Sequence, residues 1–141
     1  MFGIFGRRNA FDDRKKQKFV DAVSGMLRVQ LTVAGGCSIE DEKGSLNQKA
    51  LGYIYGFIDG ALRTIGQDMS DTSVGIPITF QVLKNLFPGR EERYTQYLAN
   101  NIGVDEVVTL GAMTGGQQYI DFVKKKIEAP MGLARYILEK Q

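Results

Sequence analysis

The sequence predicts an all-α protein, a compact bundle of five to six helices with no sheet, and three observations carry that expectation. Apolar residues recur at i, i+3, i+4 and i+7 through most of the chain. Acidic or hydroxyl residues stand before these runs and glycines stand after them, the punctuation of helix starts and stops. No stretch shows a strand pattern.

Residues 1–10 read as a flexible arm, both basic and apolar, ahead of a single helical domain over residues 11–141. Asp12 and Asp13 can cap a first turn, and Phe19, Val20, Val23, Met26, Leu27 and Leu31 keep helical spacing as far as Gly35 and Gly36. The first helix is therefore expected over about residues 12–33. A polar loop follows, and Ser45 with Gln48 has the S-x-x-Q arrangement of a capping box, which places a helix start there.

That helix holds the most apolar run of the chain, Ala50 to Gly66. Leu51, Tyr53, Ile54, Phe57, Ile58, Ala61, Leu62 and Ile65 fall on one broad face, at about 100° per residue. Gly52, Gly56 and Gly60 fall on the other, with Asp59 and Arg63 spaced to pair and Tyr55 at the edge. A helical glycine costs about 1 kcal/mol against alanine. Glycines repeated on a solvated face would waste that stability, so a neighbour is expected against them.

The polar segment from Gln67 is long for a connection, which marks it as a loop with a binding role to consider. Pro77 suits the first turn of a third helix, with Ile76, Phe80, Leu83 and Phe87 as its apolar stripe, stopped at Pro88-Gly89. Glu91 and Glu92 open a short fourth helix carrying Tyr94, Tyr97, Leu98 and Ile102. A fifth begins near Asp105 and places Val104, Val108, Gly111, Ala112, Gly115, Tyr119, Phe122 and Val123 on one side, with a kink or interruption expected at Thr114-Gly115-Gly116. Pro130 starts a sixth, with Met131, Ala134, Ile137 and Leu138 buried.

Composition excludes much chemistry. The chain has no histidine and a single cysteine, Cys37, which removes Ser-His-Asp triads, Cys-His pairs, HExxH sites and four-ligand Cys/His zinc sites. The acidic loop Glu40-Asp41-Glu42 and the pair Asp68 and Asp71 lack the alternating ligands of a calcium loop, and no phosphate-cradling glycine loop is present. No cofactor and no metal is therefore expected. The Asp59 and Arg63 break keeps the apolar run short of a spanning helix, and the first residues lack a signal-peptide core, so a cytoplasmic protein is expected.

Leu51-Gly52-x-x-x-Gly56 is echoed by Leu110-Gly111-x-x-x-Gly115. Small residues four apart let helix backbones approach closely. Three arrangements use this: the two helices cross within the monomer, two copies of the glycine-bearing helix meet, or a ligand or partner peptide lies over the glycines. The functional expectation is an interaction module acting through protein contacts, self-associating as a homodimer through Gly52, Tyr55, Gly56, Asp59, Gly60 and Arg63. An enzyme reading would need Asp59 or Asp121 enclosed with tyrosines. A peripheral membrane protein is the alternative, with Phe2, Ile4, Phe5, Arg7 and Arg8 resting on an anionic surface at the inner membrane face. Nucleic acid is not expected as a partner, because Lys124-Lys125-Lys126 is the only other basic cluster and aromatic interleaving is absent.

Two short resemblances complete the reading. Ala34 to Glu42, Ala-Gly-Gly-Cys-Ser-Ile-Glu-Asp-Glu, is similar to the acidic inter-helix turn of tellurite-resistance TerB-like domains, although the aspartate of that pattern before the glycine is missing. Gly52 to Asp59, Gly-Tyr-Ile-Tyr-Gly-Phe-Ile-Asp, resembles the central helix of small helical immunity proteins, which usually carry paired cysteines that this chain lacks. These imply a stress-related or immunity-type small-ligand or toxin-binding role, and no functional residues are transferred from them.

Overall fold

The computed structural model describes residues 11–36 and 38–139. Its elements are α1 (Asp13–Val33), α2 (Gln48–Thr64), α3 (Thr72–Leu86), α4 (Glu91–Asn101), α5 (Glu106–Val123) and α6 (Gly132–Glu139). The described residues contain no strand, only one isolated antiparallel bridge between Glu40 and Leu46 in the α1–α2 loop. The all-α expectation is met. No helix among the described residues is long and apolar enough to cross a membrane. The proposed membrane-contact residues Phe2, Ile4, Phe5, Arg7 and Arg8 lie outside the described residues, as does Cys37.

Local chemistry sets the helix starts. Asp12 accepts from the Lys15 N–H, Asp71 from Ser73, and Asp105 from Val107 and Val108, so a carboxylate satisfies orphan donors at each of these first turns. The α2 start differs from the capping box expected at Ser45. Asn47 is the cap, accepting from the Ala50 N–H, while its amide donates to the Tyr136 carbonyl 3.1 Å away. Ser45 is held back in the loop, where its N–H donates to the Asp41 carboxylate.

Three expectations are corrected by packing. Helix α3 begins at Thr72, so Pro77 lies inside it; Ser73 and Pro77 are both exposed, and water can serve the carbonyl that proline leaves unpaired. Its buried residues are Val74, Gly75, Ile78, Thr79, Val82, Leu83 and Leu86, whereas Ile76 is half exposed. Helix α5 runs without interruption through Thr114-Gly115-Gly116, and its expected apolar side ends short, because Val104 and Val123 are exposed. In α6 the fully buried residue is Leu133, and Leu138 is exposed.

Helix α2 is the centre of the molecule. Tyr53, Ile54, Phe57, Ile58, Ala61 and Leu62 are completely buried, and the other five helices all pack on it. The α1–α3 pair covers part of this helix, α6 sits against α1 and α2, and α5 lies along α2 in the most extensive contact of the fold.

Candidate functional site

The neighbour expected over the glycines is α5. A Cβ on Gly52 would lie 2.9 Å from the Val108 carbonyl carbon, and one on Gly56 would lie 2.6 Å from Ala112 Cα and nearer still to its carbonyl oxygen. The approach is reciprocal: a Cβ on Gly111 would meet the Lys49 carbonyl and the Tyr53 amide, and one on Gly115 would meet Tyr53 and Phe57 backbone. Non-bonded carbons rest at about 3.5–4.0 Å, so only glycine permits this spacing. The backbones sit within reach of Cα–H···O contacts, a recurrent feature of tight helix pairs. The seam loosens toward its end, where a Gly60 Cβ would stand 2.9 Å from the Gly116 oxygen.

Of the six residues singled out on this face, the three glycines are thus buried inside the chain, while Tyr55, Asp59 and Arg63 reach the rim. Arg63 folds toward Gly116 and pairs with Asp59 at 3.6 Å. Burial raises the Asp59 carboxyl above its ordinary range and Arg63 opposes that shift. Burial and then the Asp59 charge raise the Tyr55 phenol. Asp121 lies on α5 and accepts 2.9 Å from Gln117. No cluster of metal-ligating side chains occurs among the described residues.

Sealing one side of α5 against α2 leaves its other side without a partner among the described residues, and that side carries exposed apolar residues among its polar ones. Leu110 is 51 % exposed, Met113 67 % and Val107 44 %. Glu106, Leu110, Met113, Gln117, Ile120 and Lys124 follow one another at alternating steps of four and three along the outer face. That spacing is the seam of a two-helix coiled coil. The seam begins on an acid and ends at the exposed lysines 124–126. A helix apolar on both sides belongs in an interior, and α5 has only one side covered.

Two polar constructions were invisible in the sequence because their members are far apart in it. Gln30, buried in α1, donates to the Tyr53 hydroxyl at 3.3 Å and accepts the Leu133 N–H at 2.9 Å. The Tyr53 hydroxyl donates to Gln118 at 2.6 Å, and Gln118 accepts the Gly132 N–H at 2.9 Å. Two carboxamides bridged by a phenol therefore satisfy the first donors of α6, and burial pushes the Tyr53 phenol up to about 12. In the second, the Glu40 carboxylate accepts from the Tyr94 hydroxyl and pairs with Arg90 at 2.9 Å and Arg93 at 3.3 Å. The Tyr94 hydrogen bond, aided by both arginines, lowers the Glu40 carboxyl. Both constructions are internally satisfied and hold the fold.

Comparison with protein families, with curated proteins and with solved structures finds no match to this chain. The short likenesses to TerB-like domains and to immunity proteins therefore bring no function to it.

Proposed function

We propose that the protein is an interaction module that forms a homodimer, with the contact on the outer face of α5 in place of the glycine face that α5 itself covers. The observation supporting this is the seam of exposed Leu110 and Met113, continued by the partly buried Ile120, between Glu106 and Lys124. Two copies laid antiparallel set Leu110 against the partner's Ile120, Met113 against the partner's Gln117, and Glu106 against the partner's Lys124. The pairing is isologous, so each contact occurs twice about a two-fold axis. A parallel arrangement would bring the lysines together and lacks this complementarity.

One helix per subunit makes a small interface, at the weak, transient end of stable associations. Sedimentation equilibrium from about 1 μM to 1 mM is the appropriate range. The wild type is expected to dimerise within it, and Leu110→Glu to stay monomeric with unchanged helicity. Glu106→Lys weakens the dimer, and adding Lys124→Glu in the same chain restores it, because the swap re-forms both end pairs. A wild type monomeric throughout overturns the proposal. Binding of that monomer to phosphatidylserine vesicles, lost on deleting residues 2–8, would favour the membrane reading instead.

A further inference from the structure

Two shallow hollows meet on the outer surface of α1, away from the α5 face. One runs along the helix beside Arg28, Val29, Thr32 and Val33, and the other lies between Val33, Met131 and Leu138, where α1 and α6 come together. Val33 belongs to both, and Val29, Val33 and Leu138 are each at least half exposed. The chain enters the described structure already turned onto this helix. Phe11 stands ahead of the first turn, yet its ring meets Phe19 edge to face, with centroids 5.9 Å apart. Phe19, Met26 and Val33 are seven residues apart and so follow one flank of α1 toward the hollows. The residues that precede Phe11 lie outside the described structure, and their sequence is apolar at Phe2, Ile4 and Phe5.

We propose that the chain's own first residues fill these hollows, with Phe2 and Ile4 seated on α1 and α6 as an N-terminal strap. Length and register both fit. Helix α1 has 21 residues, which makes it about 31 Å long at about 1.5 Å per residue. Extended chain covers about 3.3 Å per residue, so from Phe11 it reaches about 23 Å at Ile4, the level of Val29, and about 30 Å at Phe2, the level of Val33. Residues two apart on an extended chain point the same way, so Phe2 and Ile4 face α1 together. Arg7 comes about 13 Å along, level with Asp21, the only acid of α1 beyond Asp13. An anionic membrane would call on the same apolar residues, so strap and membrane contact exclude one another.

The test places a nitroxide on residue 3 of the full chain, through Gly3→Cys with Cys37→Ser, and maps amide broadening by NMR. Broadening is expected at residues 28–33 and 134–138 and not in α4, which touches neither α1 nor α6. Val29→Glu, at an exposed position, abolishes it without loss of helicity, and so does Phe2→Ser combined with Ile4→Ser. In either variant trypsin cuts after Arg7 and Arg8 about tenfold faster, because cleavage follows the population of released arm. An equal mixture of isotope-labelled chain without nitroxide and nitroxide-bearing chain without isotope separates a chain's own arm from a neighbour's. Broadening should be absent from that mixture. Broadening that persists in it overturns the proposal, since a second copy then supplies the arm. Absence of broadening in the singly labelled chain overturns it equally, whether or not the arm then binds phosphatidylserine vesicles.

Discussion

Alanine in place of glycine should have opposite effects at two helical positions of this chain. Gly25 in α1 has nothing within 4 Å of where a Cβ would stand, so Gly25→Ala gains only the helix propensity and should stabilise by about 0.5–1 kcal/mol. At Gly56 the same methyl would lie 2.6 Å from Ala112 Cα. Restoring an ordinary carbon contact of about 3.5 Å requires α2 and α5 to part by roughly 1 Å. The obstruction is backbone, which cannot rotate aside as a side chain would. Overpacking of this kind costs about 1–3 kcal/mol and occasionally more. Separation also loosens the packing of Phe57 against Tyr119, whose rings meet edge to face at 5.1 Å. A backbone obstruction puts the cost at the upper end, about 3 kcal/mol, and after the propensity gain of about 1 kcal/mol a net loss of about 2 kcal/mol remains. At roughly 3 °C per kcal/mol for a chain of this size, Gly56→Ala should melt about 6 °C below wild type and Gly25→Ala about 2–3 °C above it. Urea unfolding followed by circular dichroism gives the free energies directly. Gly60→Ala should fall between them, because its nearest obstruction is 2.9 Å away. Stability within 1 kcal/mol of wild type for Gly56→Ala, or a larger loss for Gly25→Ala, would refute the close-packed seam.

Other perturbations probe the polar constructions. Gln30→Leu strands the buried Leu133 N–H and should cost about 2–3 kcal/mol in urea unfolding, against roughly 1 kcal/mol for Tyr53→Phe, which keeps both carboxamides. Glu40 titrates below its ordinary value of 4.5 in the folded chain, so its contribution is complete above that pH and disappears as pH falls through the lowered value. Glu40→Gln should therefore be less stable than wild type near neutrality, and the gap should close with acidification; a gap independent of pH would contradict the assignment. Asn47→Ala removes both the α2 cap and the tie to the Tyr136 carbonyl, so a loss of about 1–2 kcal/mol is expected, with faster amide exchange in α6 as well as at the start of α2.

Several features were legible without coordinates because their causes are local. The caps at Asp12 and Asp105 depend on a side chain reaching donors two or three residues ahead, and both lie where the sequence puts them. Helix α3 was harder. Val74, Ile76, Ile78, Phe80 and Val82 alternate with a period of two, a strand-like pattern that the expectation of no such stretch passed over, and in a helix this alternation puts apolar residues on both sides so that periodicity does not choose the buried one. Contact with α1 and α4 makes that choice. The partnership of Gln30, Tyr53 and Gln118 had no sequence signal at all, since glutamines at those spacings read as ordinary polar surface.

The glycines divide the two kinds of information most clearly. Their spacing alone determined that backbone at positions 52, 56 and 60 must be covered, because the propensity cost is a property of the residue and its helix. Which surface covers them depends on where α5 is carried by the turns and helices between, and that is a sum of contacts no local pattern contains. The same placement decided which side of α5 is left uncovered. Spacing alone put Gly111 and Gly115 on the apolar side of α5 that turns inward, whereas docking against α2 decided which surface meets them and that Leu110 and Met113 are left in water.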